Sequence, residues 1–442
     1  MISILLIVPK CTGPGNGNKW NSAWPDEIEK IISQNMWKVV TPGILVLSAL
    51  TDKTKFEIDI VDEEFQSVDE NKYYDIVAMY TVTSNAKRAY MWSARFKAKG
   101  AYIVLGGVHS SVCTSEACDN ADTVLVGEVE NIWPNFLNDF MQGKAKRIYI
   151  QPVGQVDIDI SPIPDFSMLP QNARKIIPIQ TARGCPHGCE FCNIRSLYGH
   201  AYRAKTIDRL EMEMCEALSI NPRATIYFTD DNFFCDKKRA VLLLDAIKKY
   251  NVAWYAHTDL SFGYDEMLIE KAYQSGCRQV LIGLESINPS NLEGIDENNF
   301  KNKAYVNYKE VINRIQTNGI GVIGSFIIGL DEDDHKIFDE LLRFINGTHI
   351  YGASITICTP YPGTKLFEKM KKENRIMTYD WDKYTIFEPI ITPAKMTVDE
   401  LNNGYIKVLH EIYSLKNIVK RLEYFKNERK LLKGDQSAAT KE

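Results

Sequence analysis

Short apolar runs alternate with amphipathic segments in two successive blocks of this chain, and that rhythm restricts the fold more than any other feature. In the first block the runs cover 2–8, 56–61, 75–80, 102–105 and 123–126, with helical patterns over 43–50, 86–99 and 129–141. Runs that are apolar at nearly every position suit strands buried on both faces, as in a parallel sheet covered by helices. The expectation is an α/β chain whose residues 1–145 form a doubly wound, Rossmann-like domain. In the second block the runs are 176–181, 225–229, 253–257, 279–284, 321–328 and 354–358, with helical patterns between them at 207–218, 238–250, 265–275, 309–317 and 335–346. These six βα units predict a partial, open TIM-like barrel over 173–365. Residues 146–172, with Pro152, Pro162, Pro164 and Pro170, read as a linker. A mostly helical region is expected over 366–432, and the polar residues 433–442 read as a disordered tail.

Composition narrows the setting. With 442 residues, 45% of them hydrophobic and 25% charged, the chain can bury substantial cores. A net charge of -5 and a pI near 5.9 provide no basic footprint for nucleic acid. No run is long enough for an integral membrane segment. The apolar start, Met1 to Pro9, lacks a signal peptide's basic flank and suits a buried strand, so a cytoplasmic location is expected. Ten cysteines in such a chain favour thiols and metal ligands over disulfides.

In both blocks polar residues gather where strands end. In the first these are the loops at 12–17, 81–84, Gly106-Gly107-Val108-His109-Ser110 and Gly127-Glu128, on the edge where such sheets bind ligands. In the second they are Thr181, Asp230, Asp231, His257, Asp259, Glu285 and Ser286, on the face where barrels do chemistry. For the carboxylates, helix capping is the structural alternative. After the first barrel strand comes Cys185-Pro186-His187-Gly188-Cys189-Glu190-Phe191-Cys192. CxxxCxxC lets one loop present three thiolates to a metal cluster, one fewer than a four-iron cluster needs, so one iron stays open for chemistry. A zinc site is the rival and would need a fourth ligand, for which His187 or His200 is available. The other seven cysteines are scattered, and burial is their default reading.

CxxxCxxC with an aromatic before its last cysteine, at the first strand of a six-unit barrel, resembles the radical S-adenosylmethionine (SAM) superfamily. The resemblance implies that Cys185, Cys189 and Cys192 hold a 4Fe-4S cluster whose open iron chelates SAM, and that Phe191 packs near the adenine. It also implies one-electron cleavage of SAM to a 5'-deoxyadenosyl radical that abstracts hydrogen from a substrate. Phe228-Thr229-Asp230-Asp231-Asn232-Phe233, Gly283-Leu284-Glu285-Ser286 and the glycine-containing 324–330 resemble the family's SAM-facing segments. Thr359-Pro360-Tyr361-Pro362-Gly363-Thr364 resembles a signature of members with an N-terminal cobalamin-binding-type domain, as do Val40–Leu45, Asp62-Glu63, Leu105–His109 and Val126–Glu128. This implies cofactor contacts at Gly106, Gly107, His109 and Gly127. The DxHxxG motif that supplies a histidine to cobalt in other cobalamin proteins is absent. His109 stands in a ligand-facing loop and could approach a corrin, or be an ordinary turn histidine. The loop 10–24, with three glycines, one proline and two tryptophans, could fill or line the corrin's place.

The expected function is a radical SAM enzyme acting on a small-molecule or lipid-like substrate by cobalamin-dependent C-methylation, with a reducing partner such as flavodoxin or ferredoxin. The alternative on the same scaffold is cobalamin-independent rearrangement, elimination, coupling or oxidation. From another class, an iron-sulfur electron carrier or zinc-stabilised binding protein would account for the cysteines but leave the barrel-mouth carboxylates unexplained.

Overall fold

A computed structural model describes all residues except 13–18, 22–23, 36–37 and 440–442. Most of the loop 10–24 expected to line the corrin's place thus lies outside the described residues. The first block folds into six parallel strands, β1 (Ile2–Val8), β2 (Phe56–Asp62), β3 (Ile76–Tyr80), β4 (Tyr102–Gly106), β5 (Thr123–Val126) and β6 (Ile148–Ile150), in the order β2-β1-β3-β4-β5-β6. Strand order reverses direction between β1 and β3, which opens a crevice beyond their carboxyl ends. β6 lies inside the segment expected to be linker. Three residues with only Tyr149 buried are too short for a hydrophobic period to register.

The second block supplies a short antiparallel pair, β8 (Ala182–Arg183) with β9 (Arg203–Ala204), around the cysteine loop. Its other six strands are β7 (Ile176–Ile179), β10 (Thr225–Phe228), β11 (Trp254–Thr258), β12 (Cys277–Glu285), β13 (Gly321–Ile328) and β14 (Gly352–Ile357). They are parallel, in the order β14-β13-β12-β11-β10-β7, and the two end strands do not pair with each other, so the barrel is open. An exposed strand edge leaves backbone groups without partners. The C-terminal region covers β14: the Ile357 N–H donates to Ile386 O, and the hydroxyls of Tyr405 and Tyr413 donate to the Ile355 and Ala353 carbonyls at 2.8 and 3.1 Å. Both tyrosines sit on the helix Val398–Tyr413, started by a reciprocal cap between Thr397 and Glu400.

The tail differs from expectation. A second helix, Leu415–Ala439, runs through most of the segment read as disordered. Lys, Leu, Ala and Gln are good helix formers, so composition that is too polar to build a core is still compatible with a helix. One continuous hydrophobic cluster joins the two sheets, from Ile4 and Leu6 through Ile177 and Phe228 to Tyr405 and Ile412.

Candidate active site

The cysteine loop leaves β8 through Gly184. Its φ of +101° is a conformation that side chains avoid, and a Cβ there would lie 2.5 Å from the Ala201 carbonyl. Its N–H donates to Asp231 at 2.8 Å. His187 bonds Asp259 through Nε2 at 2.6 Å and stacks on Phe300. His200 is exposed. Burial alone would raise Asp259, but hydrogen bonds from His187, Ser261 and Asn232 hold it down to about 2. His187 is therefore committed to positioning the loop and is not held free as a zinc ligand. The three loop thiols are not gathered within 4.8 Å of one another as donors to a single ion would be; among the described residues that distance is met elsewhere, by His109, Cys113 and Glu116. Burial raises all three thiols, Cys192 to about 11, so they need a cation to be thiolates. Phe191, next to Cys192, is half-buried against the core.

The two strand-end aspartates part company. Asp230 is fully engaged by the protein: its oxygens accept from Thr181 N and Thr181 Oγ1 at 2.6 and 2.5 Å, and Arg239 bonds the same threonine. Asp231 faces a cavity, and burial lifts its carboxyl to about 6. Ser286 Oγ accepts from Asn288 N in the turn after β12. Glu285 has a φ of +64°, strained for a residue with a side chain, and folds back over Gly283. There it meets Lys301, whose amine donates to Glu285 Oε1 at 2.8 Å and to Gly283 O at 2.9 Å. Lys301 is buried and its charge falls on Cys189 as well. No spacing pattern flagged it, because it returns to β12 from the helix Phe300–Tyr305.

A cavity of 360 Å³ lies between the carboxyl edge of the N-terminal sheet and the cysteine loop's flanks. Gly106, Gly107 and Gly127 line it, as do Ala78, Val104 and Leu125 from deeper in the sheet, with Ile194, Leu197 and Tyr198 from the helix after Cys192. His109 is not among its lining residues. Its ring is buried on the other side of the loop, Nδ1 3.4 Å from Thr83 Oγ1 and packed edge-on against Trp381, so it is not placed to approach a corrin in the cavity. A buried ion-pair network closes the cavity floor: Arg183 bonds Glu128 at 2.6 Å and Glu130 at 2.7 Å, and Arg203 reaches Glu128 at 3.0 Å. The motif after β14 has a mechanical role here. Its Pro362 and Gly363 carbonyls accept from Asn193 and Ser196, clamping the helix that follows Cys192.

Comparison with known proteins accords with this geometry. Residues 179–345 match the radical SAM superfamily, and 364–441 a domain of unknown function, DUF4070. The chain is 32% identical to bacteriochlorophyllide d C-12(1)-methyltransferase of Chlorobaculum tepidum over 87% of this chain and 85% of that protein. It is 25% identical to hopanoid C-2 methylase of Rhodopseudomonas palustris over 76% and 65%. Among solved structures, the methyltransferase TsrM from Kitasatospora setae, with cobalamin and a 4Fe-4S cluster bound, superposes with a TM-score of 0.64 at 14% identity, covering 84% of this chain and 78% of that one. The cobalamin-dependent SAM radical enzyme OxsB gives 0.64 at 13% identity over 97% and 71%. At those identities the likeness is one of fold.

Proposed function

The chain belongs to the radical SAM superfamily, and on that premise we propose that it is a cobalamin-dependent enzyme methylating a carbon of a bulky, largely apolar metabolite. It is an enzyme of the methyltransferase kind, and the family's chemistry requires an electron donor and a substrate. The observation that carries the cobalamin reading is the cavity: it lies against the carboxyl ends of β3, β4 and β5 in the N-terminal sheet and has the cysteine loop's flanks on its other side. The fit is favourable because a Cβ on Gly43, one of the lining residues, would meet nothing within 4 Å, whereas at Gly107 and Gly127 a Cβ would run into the Thr81 and Gln151 carbonyls, so the sheet's edge stays free of side chains there. With no histidine among the described residues that line it, a corrin there would be held without an imidazole from them. That the named relatives act on a bacteriochlorophyllide and a hopanoid supports a polycyclic, lipid-like acceptor.

Cys185, Cys189 and Cys192 would hold the cluster, with Glu285 and Asp231 among the polar groups beside SAM. Bound together, cluster and SAM supply one-electron reductive cleavage and hydrogen-abstracting power, and cobalamin a transferable methyl group. The chain's own work is positional. Arg183, one residue before Gly184, is pinned by two carboxylates from the N-terminal domain, so the cysteine loop and the cavity wall keep one geometry. Lys301 neutralises Glu285 at the barrel mouth and places a fixed positive charge beside Cys189, which favours its thiolate. The apolar lining excludes water from the region where a radical would otherwise be quenched.

The test is anaerobic purification from cobalamin-supplied cells, followed by iron, corrin and SAM-cleavage measurements on parent and Gly43→Leu. The parent should carry a corrin band and about four irons. Gly43→Leu adds bulk to the cavity lining and should lose the corrin while keeping iron and SAM cleavage. A parent with iron but no corrin would transfer the case to cobalamin-independent chemistry on the same scaffold.

A further inference from the structure

Outside the cavity, three donor side chains converge where the N-terminal domain meets the C-terminal region. His109, Cys113 and Glu116 each offer one ligand atom, and these atoms all lie within 4.8 Å of one another. The residues are spaced i, i+4 and i+7 over two successive short helices, Val108–Val112 and Thr114–Asp119, which puts them on one side of that turn of chain.

The histidine points to a ligand independently of this clustering. It is fully buried, and its Nε2 has no hydrogen-bond partner among the described residues. Buried ring nitrogens are normally satisfied, and one left open is costly unless something else bonds it. Nε2 stands 3.8 Å from Glu116 Oε1, too far for a hydrogen bond and within the span that two metal–ligand bonds of about 2.0 Å can bridge after a small inward shift. The outer groups are arranged to match. Thr83 Oγ1 lies 3.4 Å from Nδ1, and a proton on Nδ1 leaves the Nε2 lone pair free. The Trp381 indole N–H is 2.8 and 3.1 Å from the two Glu116 oxygens and so fixes the carboxylate. Cys113 and Glu116 are each partly exposed, which provides an entry path.

We propose that His109, Cys113 and Glu116 bind a zinc ion that fastens the Trp381 segment to the N-terminal domain. Imidazole nitrogen, thiolate and carboxylate, with water in a fourth position, form a tetrahedral set that suits zinc, whereas magnesium and calcium take oxygen donors. Binding releases the Cys113 proton to solvent, forms the Zn–S, Zn–N and Zn–O bonds, and changes no oxidation state. Trp381, hydrogen-bonded to one ligand and packed on another, is where the C-terminal region would feel the ion. Lys87, paired with Asp380 at 2.9 Å, reinforces the same seam. The site is separate from the cysteine loop and does not depend on the methyltransferase reading.

The experiment uses the full chain, loaded anaerobically with iron and sulfide, equilibrated with Zn²⁺ against a competing chelator and desalted. About one zinc per chain should be retained beside the iron, and its X-ray absorption should show a single sulfur with nitrogen and oxygen completing the shell. Cys113→Ser and His109→Gln should each lose this zinc with iron content unchanged, and Trp381→Phe should weaken its binding by about tenfold or more, as loss of an outer-shell partner does. Absence of zinc from the iron-loaded parent, a zinc shell of several sulfurs (metal in the cysteine loop), or undiminished zinc in Cys113→Ser would overturn the proposal. The parent's sulfur count separates the two locations whether or not a variant folds well.

Discussion

Replacing Arg183 by Met tests whether the seam between the N-terminal domain and the cysteine loop is electrostatic. Arg183 has a side chain only 11% exposed and meets Glu128 and Glu130, each 3% exposed. Glu128 would keep Arg203, but Glu130 would be left with neutral donors, the Ser161 hydroxyl at 3.1 Å and its own backbone N–H. Removing one partner of a buried ion pair costs about 3–5 kcal/mol. At about 2.1 cal/mol/K per residue the unfolding entropy of 442 residues is about 0.9 kcal/mol/K, so melting should fall by about 4 °C if the chain unfolds as one unit. The pH dependence gives a sharper signature. In the parent, burial would raise Glu130 but Arg183 outweighs it and lowers the carboxyl, so its stabilisation is present above the unfolded value and lost as pH falls through the folded one. Without Arg183 the burial effect, the largest of all, is opposed only by the smaller pull of the Ser161 hydroxyl and of the residue's own backbone N–H, and the carboxyl should move above its unfolded value. Its contribution is then lost as pH rises, so parent and variant should differ more at pH 8 than at pH 5. Arg183→Met with Glu130→Gln should recover about half the loss by removing the stranded charge. Melting curves of the apoprotein at the two pH values suffice. A variant within about 1 kcal/mol of the parent at pH 8, the span of a surface pair, or a double variant no better than the single one, would refute the reasoning.

Three further outcomes are expected. Gly184→Ala forces a side chain into a φ of +101° against the Ala201 carbonyl, so iron loading should fall while far-ultraviolet dichroism stays near that of the parent. Asp259→Asn should destabilise the chain in urea at pH 7. Because Asp259 is held down to about 2, that difference should shrink as pH falls from 4 towards about 2, and a constant difference would count against the His187–Asp259 pair. Lys301→Met strands Glu285 next to Cys189 and should slow reductive SAM cleavage and weaken SAM binding, whereas Lys301→Met with Glu285→Gln should regain cluster stability but not SAM binding.

Local order carried most of what could be read in advance. The strands at 2–8, 123–126 and 321–328 have in the structure the limits that their apolar runs suggest, and three cysteines within eight residues announce their joint use. What escaped depends on partners distant in sequence. Asp230 and Asp231 are indistinguishable as neighbouring strand-end carboxylates; Thr181, 49 residues away, occupies one and leaves the other to the cavity. Lys301 belongs with Glu285 only after a helix brings it back, and Arg183 acquires meaning only against Glu128 and Glu130 from another domain. His109 was visible as a histidine in a glycine-rich strand-end loop, but the direction it faces is set by Trp381, far along the chain.

The hydrophobic cluster that runs unbroken from Ile4 to Ile412 has a consequence for how such proteins can diversify. Domains joined by a thin linker can be exchanged by recombination, each carrying its stability with it. Here the N-terminal sheet keeps a cluster of its own on one face, around Trp92, Phe96 and Ile103, but shares the core of its other face with the barrel, so a transplanted N-terminal domain would bring an apolar face shaped for another barrel. Change should therefore accumulate residue by residue along the cavity wall, with the two halves inherited together, and either half expressed alone should aggregate.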